Sequence, residues 1–131
     1  MVWSIKTLWE VNGPDLLLDT NVVIYFLEGD ERLAPFASYT FAISAITEIE
    51  LLGWVGISAP ETDKIKGFIA SCKLVELNWE VKQLSIGLKQ KTKIKIPDAI
   101  IAASALHLNI PLITADKEFR NIAGIDLFLL E

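Results

Sequence analysis

An α/β fold with a parallel sheet of about five strands is what this sequence predicts, and three features carry the prediction. Strand-like and helix-like segments alternate from residue 15 onward, the pattern of parallel strands joined by helical crossovers. The strand-like segments are short and apolar without polar alternation, as in Leu16, Leu17 and Leu18. That is what a strand covered by helices on both faces requires. The chain has 131 residues with 52% hydrophobic content, enough for one domain with a sizeable core and too little for a second of ordinary size. The expected architecture is a three-layer α/β/α sandwich.

Residues 15–19 form the first strand and residues 20–28 a helix closed by Gly29, with a short helical turn over 31–37. The strand FAIS at 41–44 follows, then a helix from Ser44 to about Trp54, ended by Gly53 and Gly56. Pro60 opens the next helix, through roughly Cys72, since proline suits a first helical turn. KLVEL at 73–77 is a strand and residues 79–90 a helix. Pro97 begins a helix through about Leu108, whose alanines at 99, 102, 103 and 105 suit close packing. PLIT and DLFLL are the last two strands. Residues 1–14, with Trp3 and Trp9, stand outside this pattern as an N-terminal extension to a domain over 15–131.

Composition removes several classes of function. No apolar stretch reaches the roughly 18 residues of a membrane span, and the first 14 residues lack the apolar run of a secretory signal, so the chain is read as soluble and cytoplasmic. Its one cysteine, Cys72, has no partner for an internal disulfide and suits a packing role. A net charge of -5 argues against holding nucleic acid by overall electrostatics. Locally, Lys82, Lys89, Lys91, Lys93 and Lys95 make the segment before Pro97 basic. They read either as a solvated helix end and loop or as a phosphate-contacting rim.

The chemistry is carried by acids. Asp19 ends the first strand, and the carboxyl ends of strands in an open α/β sheet face the crevice where ligands bind. Asp116, 97 positions later, follows Leu112, Ile113 and Thr114 in the same way. Asp98 lies beside Pro97 in a first helical turn, where a carboxylate suits the helix dipole and also faces that crevice. In SAITEIELLG, Glu48 and Glu50 are two residues apart, about 200° around a helix, so at most one reaches the crevice. Geometry alone does not choose, although Glu50 sits nearer the apolar stripe of Ile46, Ile49, Leu51 and Trp54. Four converging carboxylates raise one another's pKa and call for a cation. Oxygen donors without a histidine or cysteine cluster point to Mg²⁺ or Mn²⁺ rather than zinc, and to phosphodiester hydrolysis.

The strings LLLDTNVVIYFL, SAITEIELLG, IPDAIIAASAL and PLITADKEF, in that order over residues 15 to 130, resemble the PIN domain, and specifically the VapC-type toxins of toxin–antitoxin pairs. The resemblance implies a quartet of Asp19, Glu50, Asp98 and Asp116 as metal ligands and catalytic groups. It selects Glu50 over Glu48, because the family's glutamate follows a threonine by three positions and precedes a leucine. Thr20, Asn21 and Thr114 are implied as supporting polar groups, with Asn21 orienting an acid or a water. Further implications are endoribonuclease activity with Mg²⁺ or Mn²⁺, a homodimer, and a small antitoxin that covers the active-site groove. Lys89, Lys91, Lys93 and Lys95 then become candidate RNA contacts.

Other readings fit less well. A receiver domain needs paired acids at the first strand and an aspartate ending the third, but Thr20 and Asn21 follow Asp19, and KLVEL ends without one. A haloacid-dehalogenase-type phosphatase needs an aspartate where Asn21 stands. A PIN-like module that binds RNA or protein without cleaving has no use for four uncompensated carboxylates, and a housekeeping RNA-processing nuclease of the same fold remains an alternative. His107, the sole histidine, reads as a helix-surface residue near a helix carboxyl end, and Trp54 and Trp79 as core or interface residues.

Overall fold

A computed structural model describes residues 13–131; residues 1–12, including Trp3 and Trp9 of the expected extension, lie outside the described residues. Five strands, β1 (Leu16–Leu18), β2 (Phe41–Ser44), β3 (Lys73–Val75), β4 (Leu112–Thr114) and β5 (Leu127–Leu129), form one sheet in the order β3-β2-β1-β4-β5. Every pairing is parallel. Five helices cover it: α1 (Thr20–Leu27), α2 (Ala45–Leu52), α3 (Ala59–Ala70), α4 (Trp79–Lys91) and α5 (Ile96–Leu108), with 3₁₀ turns at Glu31–Phe36 and Lys117–Asn121.

Strand pleating divides the core into two layers. Leu17, Ala42 and Leu112 face α4 and α5, joining Val81, Leu88, Ile101 and the alanines 99, 102, 103 and 105, while Phe119 closes that cluster. Leu16, Leu18, Phe41, Ile43 and Ile113 face the other way, against Val22 and Val23 of α1, Leu51 of α2 and Cys72. Strands apolar on both faces therefore lie between helices on both sides, which is the three-layer sandwich that the unalternated runs imply.

The first strand is shorter than expected because both flanking acids do other work. The Asp15 side chain accepts from Thr40 N at 2.8 Å, tying the start of β1 to β2. Asp19 leaves the strand to become the N-cap of α1 and accepts from Thr20 N at 2.8 Å. β3 likewise stops at Val75, before Glu76 and Leu77.

α2 ends at Leu52, short of Trp54. Gly53 caps it, and a Cβ there would meet the Ile49 carbonyl oxygen at 2.6 Å. α3 opens on the N-cap Ser58, whose hydroxyl accepts from Glu61 N and donates to Glu61 Oε1 at 2.8 Å.

The strand order places the site. The chain runs outward from β1 to β2 and β3, then returns to build β4 and β5 on the other side of β1. Two crossovers thus diverge at the carboxyl ends of β1 and β4, the switch point where a crevice opens in such sheets. Asp19 N donates to the Ile113 carbonyl at 3.0 Å, locking the end of β1 beside the end of β4.

Candidate functional site

A cavity of about 180 Å³ opens at this switch point, lined by Asp19, Thr20, Asn21, Ile24, Glu50, Leu51, Trp54, Asp98 and Asp116. All four acids singled out from the sequence border it, each from a different element. Asp19 and Asp116 end β1 and β4 as caps, Asp98 sits in the first turn of α5, and Glu50 rises from α2. Glu48 is not among the lining residues.

The four are held unequally. Asp19 is buried; its Oδ2 accepts from Thr114 Oγ1 at 2.6 Å and its Oδ1 from Thr20 N. Thr114 Oγ1 in turn accepts from Asp116 N at 3.0 Å, so one hydroxyl ties the first acid to the backbone of the fourth. Glu50 Oε1 accepts from Thr20 Oγ1 at 2.7 Å. The Asp98 carboxylate has no hydrogen-bond partner among the described residues. Burial, followed by the charges of Asp19, Asp116, Glu50 and Glu118, pushes its carboxyl up to about 6. Asp19 is also raised, chiefly by burial and against the pull of its hydrogen bonds from Thr114 and Thr20, with Asp116 and Glu50 adding to the rise. Such a cluster favours a bound cation, which would relieve both burial and repulsion.

A family model for the PIN domain matches residues 16–125. The chain belongs to the PIN domain family. It is similar to a toxin-antitoxin complex from Klebsiella pneumoniae, at 26% identity and a TM-score of 0.76 over 89% of this chain and 98% of the matched one. VapBC-1 from nontypeable Haemophilus influenzae is similar at 27% identity and a TM-score of 0.74, covering 88% and 97%. DNA-bound VapBC from Salmonella typhimurium shares the fold at 23% identity and a TM-score of 0.71, covering 90% and 99%. No curated protein sequence matches. PIN domains are generally nucleases that use a divalent metal.

Two polar groups of this PIN domain's site were not singled out from the sequence. Glu118 offers a carboxylate oxygen within 4.8 Å of those of Asp98 and Asp116, a triad of oxygens suited to a cation. Its position follows from the Asp116 cap, whose Oδ1 accepts from Glu118 N at 2.9 Å. The readable signal was an acid two positions after an aspartate that starts a turn. Thr47 is the other, a fully buried residue whose Oγ1 lies 2.9 Å from Thr20 Oγ1. It was used only as a spacing mark for Glu50.

Several expectations are corrected. The apolar stripe of α2 does not run through Ile49 and Trp54, which are 65% and 66% exposed. α2 packs through Thr47 and Leu51, one turn apart, and Glu50 is exposed at the border of that face rather than beside a buried stripe. Asn21, expected to orient an acid or a water, lines the cavity. For Trp54 and Trp79, expected in the core or at an interface, exposure removes the core reading, because one follows the helix end and the other starts α4 at the surface. His107 is half-buried, its Nδ1 3.1 Å from Glu80 Oε1 but out of hydrogen-bonding alignment.

The basic segment does not act as one patch. Lys89 Nζ donates to the Ile94 carbonyl at 2.8 Å and closes the loop after α4. Lys93 shares a cleft with Glu118 and Asn121, which makes it the lysine beside the acids. Lys91 and Lys95 are exposed, and Lys95 caps α5 through its backbone only.

Proposed function

We propose that this PIN domain is a metal-dependent endoribonuclease and the toxin of a VapBC-type toxin–antitoxin pair. The observation that supports this most is the convergence of Asp19, Glu50, Asp98 and Asp116 on one cavity, with raised carboxyl pKa values at Asp19 and Asp98. The donor set is all oxygen and short of positive charge, which fits Mg²⁺ or Mn²⁺. These four acids, with Glu118, would hold the ion. When bound, it supplies charge for a scissile phosphate and acidifies a water.

The chain's own groups fix the acids. Thr114 and Thr20 aim the Asp19 oxygens, Thr20 aims Glu50, and the 3₁₀ turn after Asp116 presents Glu118. Lys93, with exposed Lys91 and Lys95, supplies local positive charge for an RNA backbone that the net charge of -5 otherwise repels. Lys89 is the weakest of the four candidate contacts, since its ammonium is engaged.

An antitoxin partner is supported by the setting of the acids. A cavity of about 390 Å³ lined by Ile24, Leu27, Leu51, Trp54, Ile57 and Ile65 adjoins the acid cavity and shares Ile24, Leu51 and Trp54 with it. A small protein seated there would cover both. For the homodimer, the exposed Leu77 before α4, Ile86 on α4 and Ile96 at the start of α5 supply an apolar face. Among the described residues no helix is long and apolar enough to cross a membrane, and a cytoplasmic location is part of the same proposal.

The test incubates purified protein with several RNAs and Mg²⁺ or Mn²⁺, beside Asp19→Asn. Cleavage by the wild type alone is expected. Equal cleavage by both, or none by either, would sink the reading.

A further inference from the structure

We infer that Thr47 is a positioning residue for the acid site: its hydroxyl donates to Thr20, forcing the single Thr20 proton onto Glu50 and fixing the carboxylate of that otherwise free side chain. Three oxygens stand in a row, Thr47 Oγ1 at 2.9 Å from Thr20 Oγ1, and Thr20 Oγ1 at 2.7 Å from Glu50 Oε1. A hydroxyl has one proton and a carboxylate has none to give. Thr20 therefore donates to Glu50 and accepts from Thr47.

The orientation of Thr47 is unusual within this molecule. Hydroxyls on helices generally turn back to the carbonyl one turn earlier, and Thr62, Ser85, Thr92 and Ser104 all do so, donating to Ser58, Val81, Leu88 and Ile100. Thr47 does not. It points across to α1, and Thr20 is the one hydrogen-bond partner of its side chain among the described residues, although that side chain has no solvent exposure. A buried hydroxyl satisfied only through a residue of the site is tied to that site's geometry.

Thr20 is the hinge of the arrangement. Its amide donates to Asp19 and its hydroxyl to Glu50, so one residue touches two acids that come from different elements. Glu50 is exposed on α2, and its carboxylate has no other hydrogen bond among the described residues. Without a fixed donor its carboxylate would sample several rotamers, and each must be given up when a ligand is bound. Thr47 removes that freedom in advance by holding Thr20 in one rotamer and one proton orientation.

The inference rests on the reading that these acids hold a divalent ion. The test compares wild type, Thr47→Val and Thr47→Ser by Mn²⁺ titration followed by electron paramagnetic resonance, with thermal unfolding in EDTA alongside. Valine keeps the buried volume and removes the hydroxyl, whereas serine keeps the hydroxyl and removes a methyl. Thr47→Val is expected to fold normally and to bind Mn²⁺ roughly tenfold or more weakly, the usual scale for a group that orients a metal ligand. Thr47→Ser is expected to lose thermal stability but bind Mn²⁺ like the wild type. A purely structural role would rank the two variants the other way. Wild-type affinity in Thr47→Val, or equal weakening in both variants, overturns the inference alone. Absence of Mn²⁺ binding by the wild type overturns the metal reading and this inference with it.

Discussion

Replacing Asp98 by asparagine is expected to stabilise the metal-free protein at neutral pH while abolishing the proposed cleavage. The Asp98 carboxyl is pushed up from 3.8 to about 6, first by burial and then by Asp19, Asp116, Glu50 and Glu118. The folded state thus holds this proton more tightly than the unfolded chain does. Stability falls as pH climbs from about 4 to about 6, and the loss stays in full above that. Moving a carboxyl over this interval corresponds to roughly 3 kcal/mol, and because Asp98 is only half-buried, solvent screening reduces it to about 1–2 kcal/mol. Asparagine carries no charge at any pH.

The variant should therefore match the wild type near pH 4 and exceed it by that amount at pH 8. For a domain of this size the gain is about 3–7 °C in Tm. Urea and thermal unfolding in EDTA at several pH values measure it. Adding Mn²⁺ should then stabilise the wild type and leave Asp98→Asn nearly unchanged, since only a ligand that binds the folded state shifts the transition. An Asp98→Asn protein that is no more stable than wild type at pH 8 in EDTA would refute the account of charge crowding at this site.

Thr114→Val removes the donor to Asp19 and the acceptor of Asp116 N. It should cost about 1.5–3 kcal/mol at pH 7, and less in acid, because the lost bond favours the charged form of Asp19; urea unfolding at pH 7 and pH 4 reads the difference. Phe119→Ala empties a fully buried site in the 3₁₀ turn that carries Glu118, with an expected loss of about 3–5 kcal/mol. That loss is measured by urea unfolding, and a change under 1 kcal/mol, well short of the usual core range, would contradict the burial. Burial pushes the Cys72 thiol up to about 12, so a colorimetric disulfide reagent should react with it only on unfolding; rapid stoichiometric reaction of the native protein would count against this.

The elements themselves were legible because their signals are local. Leu16–Leu18 and Leu112–Thr114 read as strands from their lack of alternation, and Asn78 and Ser58 cap helices where the chain predicts helix starts. Asp19 directly after β1, Asp116 two residues after β4, and a third acid in the first turn after Pro97 share one edge of any parallel sheet with helical crossovers. Their convergence therefore followed from topology class alone. Glu50 lines the cavity and Glu48 does not, but Ile49 and Trp54 of the apolar stripe expected beside Glu50 are exposed. Which face of an eight-residue helix is buried depends on what packs against it, here Thr47 and Leu51 against α1 and the sheet.

By itself, then, the chain determined the alternation of strand and helix, the two-sided burial and the positions of four acids, all set by side-chain periodicity within a few residues. Only the tertiary structure decided the order β3-β2-β1-β4-β5, the Thr47–Thr20–Glu50 row, the Thr114–Asp19 bond across 95 positions, and the approach of Glu118 to Asp98. Each of these joins residues from separate elements. Their contacts exist only once the long crossovers have closed, and no local pattern records which strands will then be neighbours.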